Sequence, residues 1–376
     1  MLCFGLGVGL MAVFGFFVTP LSQEFGASVA LLNSGPVALL LVPGILGAWI
    51  GKLADQLPIR RILLAGVSLA MLSLAFLSRA PTLALVALAF MGFALGLTLY
   101  GPLVINALMV KLYPGREARA LALAAISMSL AAIFLPVLAG MLLEQLDWRD
   151  ALLCLAAGIL IVLWLAILAG VPHGIVGTVP AVQNAQTTTI YRNPAFWLIG
   201  LCVALGLNVS IVLAVSYPPH FANEGYSVAD AGWFLATSGL SGLAGKSCLA
   251  WLGDATRDYA KWLVAGVLCL QIAGLGLLLA AGDTYGVFPA MCLLGFGIGA
   301  FVPLYPYLNS RYFDAAIISQ VNGAQAPLFL PFGLVGAPLA GYVFDRTGSY
   351  DGVLMALAGT LGVAALLVVR LPAVAR

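Results

Sequence analysis

Gly51-Lys52-Leu53-Ala54-Asp55-Gln56-Leu57-Pro58-Ile59-Arg60-Arg61 is a short polar stretch between two long apolar runs. Its first five positions answer to Ala250-Trp251-Leu252-Gly253-Asp254, with the aspartates offset by 199 residues. Other pieces repeat in the same order. Glu24 with Ser28-Val29-Ala30 returns as Glu224 with Ser227-Val228-Ala229, the serines again 199 apart. Gly92-Phe93 and Gly96 return as Gly295-Phe296 and Gly299 at an offset of 203, and Leu138-Ala139-Gly140 as Leu339-Ala340-Gly341 at 201. Trp148 and Asp150 then correspond to Tyr350 and Asp351. Each match is weak alone; four in order at nearly constant spacing imply one structural unit used twice.

The composition says what that unit is made of. Hydrophobic residues make up 63% of the chain and charged residues 8%, where a soluble domain carries about a quarter charged. Most of the surface must therefore face lipid. Breaks at Pro, Gly and charge clusters place apolar spans near 2–20, 29–52, 60–78, 82–110, 120–143, 150–171, 195–217, 228–253, 261–281, 285–310, 320–344 and 351–370. The expected fold is an all-α membrane protein of twelve transmembrane helices in two six-helix bundles. The bundles are 1–172 and 195–376, joined by a polar linker at 173–194 that includes Gln183-Asn184-Ala185-Gln186-Thr187-Thr188-Thr189. A shift of six spans preserves topology, so the halves are parallel repeats about an axis along the membrane normal.

Charge sets the expected orientation. With both termini cytoplasmic, inside loops hold Lys52, Arg60, Arg61, Lys111, Arg116, Arg119, Arg192, Arg257, Lys261, Arg311, Arg370 and Arg376, and outside loops hold Arg79, Arg149 and Arg346. This positive-inside bias suits a multi-pass protein of a bacterial inner membrane, taken here as a monomer. The first apolar stretch has neither a basic leader nor a small-residue cleavage site, so no cleavable signal is expected. Either a leader is dispensable, or the chain is truncated or its start miscalled.

Several function classes lose support. The net charge of +2 offers no basic field for nucleic acid. Cys3, Cys154, Cys202, Cys248, Cys269 and Cys292 form no CxxC pair or metal-spaced cluster. Gly295-Phe296-Gly297-Ile298-Gly299 lies inside an apolar span rather than at a strand–turn–helix junction, so it is not a nucleotide fingerprint, and no cofactor is expected. His173 and His220 are the only histidines, and no catalytic constellation is suggested by placement. An enzyme is not expected. A receptor without transport activity is a rival of another class, but it would call for a larger exposed domain or tail.

The stretch from Gly51 to Arg61 resembles the signature loop between helices two and three of the major facilitator superfamily. The resemblance implies that Gly51, Asp55, Arg60 and Arg61, with Asp254 in the second copy, form gating latches between the halves. Gln56 stands where a basic residue is usual and Pro58 where Gly is common. Three stretches are similar to the monocarboxylate transporter and oxalate/formate antiporter branch: Thr19 to Ser28, Gly245 to Asp254, and Gly336 to Asp345 ending at Gly348-Ser349-Tyr350.

Apart from residues at helix ends, Lys246 is the one ionisable residue inside a span, eight positions before Asp254. Its insertion costs roughly 2.5–3.5 kcal/mol. Ser238, Gly239, Gly242 and Gly253 are read as its neighbours on one face, and Gly47 holds the equivalent place in the first half. In the resembling branch a basic residue here, usually Arg, binds the substrate carboxylate, which implies an anchor role for Lys246. The alternative is a long stem that snorkels to the interface. The branch pattern often has an Asp one turn earlier, where this chain has Gly242. Proton cotransport, anion exchange and facilitated diffusion are all compatible with that change.

The same resemblance makes Tyr100 a substrate-facing tyrosine. Tyr305, Asn208, Gln325 and Asn33 are further candidates, each with the alternative of gluing helices together. The expected function is a secondary transporter moving a small organic anion, a monocarboxylate, by alternating access. A drug or metabolite exporter is the runner-up. It is disfavoured by Leu135 before Pro136, where drug exporters of the superfamily carry a Gly-Pro pattern on helix five.

Overall fold

The structure is a computed structural model that describes residues 1–26, 37–172 and 190–372. The described residues are helical throughout, without a strand. In chain order the α-helices are α1 Leu2–Phe25, α2 Ala38–Gln56, α3 Ile59–Ser78, α4 Leu83–Tyr100, α5 Pro102–Leu112, α6 Glu117–Gln145 and α7 Trp148–Gly170. Then follow α8 Pro194–Asn223, α9 Val228–Leu252, α10 Ala260–Ala280, α11 Thr284–Tyr312, α12 Ile318–Thr347 and α13 Asp351–Val369.

Ten spans among the described residues are long and apolar enough to cross a membrane, with α4 and α5 counted as one from Leu83 to Leu112. The further long helices, α1 and α9, have 24 and 25 residues and stand where spans one and eight are expected. The chain is a multi-pass membrane protein. Its exterior agrees: Trp251 is 87% exposed, Ile45 and Leu240 70%, and Phe134 67%. Apolar exposure on this scale is stable against lipid and not against water.

The helix ends follow from local chemistry. Ser227 caps α9: its hydroxyl accepts from the Asp230 amide at 3.1 Å, and the Asp230 carboxylate accepts from the Ser227 amide at 3.2 Å. This reciprocal capping box satisfies two amides that the helix itself cannot. The cap expected at Ser28 lies outside the described residues. The span drawn as one piece over 82–110 is two helices. Pro102 has no amide hydrogen to continue the ladder, so α4 ends at Tyr100 and α5 begins with Pro102 at its first position.

Two compact units emerge. Unit 1 comprises residues 1–112, 124–182 and 315–327. Unit 2 comprises 113–123, 183–314 and 328–376. The first turns of α6 therefore belong to unit 2, and the first turns of α12 to unit 1. Within unit 1, α3 packs on α4 through small residues: a Cβ on Gly92 would strike the Ser73 hydroxyl, and one on Gly96 would come within 2.5 Å of the Ala70 nitrogen. This is the packing role expected of that pair.

At the far end of α1 a polar tie closes unit 1. Arg149, at the start of α7, pairs with the Glu24 carboxylate at the end of α1. It also donates to the carbonyl oxygens of Ser78 (2.6 Å) and Ala80 (3.2 Å). Trp148 Nε1 donates to the other Glu24 oxygen at 2.9 Å. One fixed cation thus joins the ends of three helices.

Candidate functional site

Lys246 lies on α9 and is 8% exposed. The stripe beside it is stripped of side chains. A Cβ on Gly242 would meet the Gly295 carbonyl oxygen at 3.1 Å, and one on Gly245 would strike the Phe296 carbonyl and come within 3.1 Å of the Ala300 nitrogen. Cβ atoms on Gly295 and Gly299 would collide with the backbone of Ser238 and Gly242. Ser238, Gly242 and Gly245 therefore form the α9 edge pressed on α11, with Lys246 one step round the helix from it. Gly239 corrects the face read from the sequence: it is exposed, and nothing stands within 4 Å of where its Cβ would be. Gly253 is also off that stripe and packs on Ala118.

In the same unit, Tyr305 is half-buried on α11 between Pro303 and Pro306. Those prolines leave α11 unable to supply amide donors to the carbonyls of Gly299 and Val302. Asn208 is half-buried on α8 and faces Gly336 of α12, where a Cβ would collide with Asn208 Oδ1. Tyr307, further along α11, donates from its hydroxyl to the Gly253 carbonyl at 3.3 Å, which places it at the Asp254 end of the unit.

Unit 1 holds the other candidates. Tyr100 is fully buried at the end of α4, and a Cβ on Gly7 of α1 would stand 3.3 Å from its hydroxyl. Its oxygen has no hydrogen-bond partner among the described residues. Gln325 is fully buried in the part of α12 that belongs to this unit. Asn33 lies outside the described residues.

The two copies of the signature aspartate do one job. Asp55 is 1% exposed, and its Oδ1 accepts from Lys111 Nζ at 2.7 Å. Its Oδ2 accepts from the Gln320 amide at 2.9 Å, in the first turn of α12. Asp254 accepts from the amides of Ala118 (2.9 Å) and Arg119 (3.3 Å), in the first turn of α6. Each carboxylate thus sits on a helix N-terminus, where unpaired amides and the helix dipole favour negative charge. Partial burial pushes the Asp254 carboxyl up from the usual range, and the two amides pull it back in part. Beside it, Glu117 accepts from the Gly115 amide at 2.9 Å and lies 3.9 Å from Arg257.

Gly51 lets this happen in unit 1. A Cβ there would collide with the Ser319 backbone, and Gly47 and Gly323 touch backbone to backbone one turn away. Arg60 donates to the Leu168 carbonyl at 3.0 Å, a cation on the C-terminal end of α7. Arg61 is exposed. Lys111, as the partner of Asp55, was not legible from sequence: it counts there as one more loop cation. Its place one residue before the end of α5 was the only signal.

Comparison with known proteins adds the family. The family model described as Major Facilitator Superfamily matches residues 1–330. Monocarboxylate transporter 13 of Bos taurus is 26% identical over 255 residues, covering 65% of this chain and 57% of that protein. Monocarboxylate transporter 12 of Mus musculus is 24% identical over 302 residues, covering 70% and 60%. The chain spans about half to three-fifths of the length of these curated relatives. Among solved structures, the fucose:proton symporter of E. coli is similar over 98% of this chain and 96% of that one, with a TM-score of 0.74 at 15% identity. The human organic anion transporter MFSD10 is similar over 98% and 97%, with a TM-score of 0.68 at 14% identity. Two parallel repeats of apolar helices, each with an aspartate capping the fifth helix of a repeat, meet a family match over most of the chain: this protein belongs to the major facilitator superfamily.

Proposed function

We propose that the protein is a secondary transporter that moves a small organic monocarboxylate by alternating access. The observation that carries this reading is Lys246, an ammonium 8% exposed inside an apolar helix. A cation within a span marks a substrate or ion path more often than scaffold, and a carboxylate is the substrate group its charge would attract. Lysine offers a point charge rather than the two-pronged clamp of arginine, so selectivity falls to polar groups, for which Tyr305 and Asn208 of unit 2 and Tyr100 and Gln325 of unit 1 are the candidates. The names of the relatives support the substrate class.

The moving bodies are residues 1–172 and 195–376, linked through 173–194, in an inner membrane with both termini cytoplasmic. Asp55 on α12 and Asp254 on α6 act as latches that break in one half of the cycle and re-form in the other. Proton cotransport, anion exchange and facilitated diffusion are the coupling modes compatible with Gly242 in place of an acid. A dicarboxylate is the second reading, favoured by 26% identity over 159 residues to a putative tartrate transporter of Agrobacterium vitis.

The test is uptake into proteoliposomes of lactate, pyruvate, formate, oxalate and tartrate, with and without a pH gradient, by the wild type, Lys246→Arg and Lys246→Ala. Lys246→Ala loses carboxylate uptake at normal expression, and Lys246→Arg keeps part of it. Full uptake by the Ala variant, or transport of only neutral or cationic solutes by the wild type, overturns the proposal.

A further inference from the structure

The polar tie at the end of unit 1 has an equivalent place in unit 2 from which the cation is missing. In unit 1 the anion, Glu24, ends α1, and the cation, Arg149, starts α7. The repeat aligns α8 with α1 and α13 with α7, but α13 starts with Asp351-Gly352, so no cation stands there. The acceptor side is again present: Glu224 matches Glu24 and follows the end of α8. At this end of unit 2 the repeat thus keeps Glu224 and Asp351, the counterparts of Glu24 and Asp150, and lacks a counterpart of Arg149.

His220 lies in the last turn of α8 and is 5% exposed. Glu224 and Asp351 are the charged groups that act on it. Both are exposed, so water reaches the carboxylates while the imidazole lies beneath them. Its ring meets Tyr350 edge-on, centroids 6.2 Å apart, and Phe221 at 5.4 Å. Tyr217, buried one turn earlier on α8, and Tyr350 are the other titratable groups around it. Asp345, near the end of α12, acts on Tyr350 rather than on the imidazole. Nδ1 has no hydrogen-bond partner among the described residues. An orphaned imidazole nitrogen in an aromatic setting is costly. Burial among these rings opposes a second proton there, while both carboxylates and the negative end of the α8 dipole favour it.

We propose that His220 is a proton-binding site that ties the end of α8 to the start of α13 when charged and releases it when neutral. Arg149 holds the equivalent tie in unit 1 at every pH. His220 makes it conditional, because histidine is the side chain whose charge can change within the physiological pH range. On the expected orientation this end of unit 2 faces outside, so the site reads the pH of the external medium. The proposal is independent of which substrate is carried.

Only two histidines are present, His173 and His220, so histidine-labelled full-length protein in nanodiscs gives two NMR signals, and His173→Gln assigns them. The His220 signal titrates between pH 5 and 8. Glu224→Gln with Asp351→Asn lowers its proton affinity by about 2- to 10-fold. Hydrogen exchange at residues 220–226 and 350–354, corrected for intrinsic rates, slows on acidification in the wild type. It is slow at both pH values in His220→Arg and fast at both in His220→Gln. A His220 signal that does not titrate in this range, or one that the two carboxylate substitutions leave unmoved, overturns the proposal. So does exchange that changes equally with pH in all variants. Should His220→Gln fail to fold, the NMR titrations decide alone. None of these readouts involves transport, so they succeed or fail separately from the substrate assignment.

Discussion

Asp55→Asn isolates the charge of the buried Asp55–Lys111 pair from its shape. The amide keeps an oxygen for the Gln320 amide hydrogen, now 2.9 Å from Asp55 Oδ2, but leaves the Lys111 ammonium uncompensated. Both partners are buried, with side chains 9% and 1% exposed, and they are 2.7 Å apart. Removing one member of such a pair costs about 3–5 kcal/mol, most of it the burden of the orphaned charge. Replacing both by groups of similar size is nearly neutral in many proteins. Lys111→Met alone is therefore destabilising by a similar amount, and Asp55→Asn with Lys111→Met recovers most of the loss. The assay is a double-mutant cycle on detergent-purified protein, read by SDS-induced unfolding and by the half-life of the folded form at fixed temperature. A coupling energy under about 0.5 kcal/mol, the level at which independent sites simply add, would falsify the reading of Asp55 and Lys111 as one buried unit. Asp55→Ala in the Lys111→Met background should cost about 1 kcal/mol more than Asp55→Asn, the usual value of a lost N-terminal cap.

Three further outcomes follow from the packing and the charges. Gly323→Ala forces a methyl into the Gly47 backbone and should destabilise by about 1–3 kcal/mol, whereas Gly140→Ala, with nothing within 4 Å, should be neutral or stabilising by up to about 1 kcal/mol; equal thermal stabilities of the two variants would refute the crossing. Ser227→Ala removes the capping box of α9 and should cost about 1 kcal/mol, seen as faster exchange of the Asp230 amide. Asp254 has a raised carboxyl in the folded state because desolvation outweighs its two amide donors. The folded protein thus holds that proton more tightly than the unfolded chain, and its contribution to stability falls as pH rises from about 4 through the raised value. Asp254→Asn should flatten stability against pH in that window, and an unchanged slope would count against the assignment.

The gross plan was legible because it is written in local chemistry. Apolar runs broken by Pro, Gly and charge gave helix ends close to those seen, and Ser227 marked the start of α9. The pairings Gly92 with Ser73 and Gly96 with Ala70 follow from small residues one turn apart. What stayed hidden depends on tertiary contacts. The second partner of Asp55 is a backbone amide 265 residues away, and any residue type supplies such a group. Gly239 was assigned to the inner face because it shares a helical edge with Lys246, but α11 presses on the edge one step round, at Ser238, Gly242 and Gly245. The break at Gly101 was passed over because the apolar run continues through it, although Pro102 marks it. Among the candidate transport residues, Lys246 stands out in the sequence by its charge alone; the polar candidates carry no comparable signal, since the same types also join helices.

The residues that complete unit 1 are made late. Its last piece, 315–327, is translated only after residues 183–314 of unit 2. At about 5–20 residues per second, the 265 residues between Asp55 and Gln320 take roughly 13–53 s to emerge. Through that interval the Asp55 carboxylate has to be sheltered by Lys111, which arrives 56 residues after it. A ribosome stalled before codon 315 would leave a membrane-inserted fragment with an exposed glycine groove and a charge pair open on one side, the kind of surface by which quality-control proteases distinguish a half-made protein from a finished one.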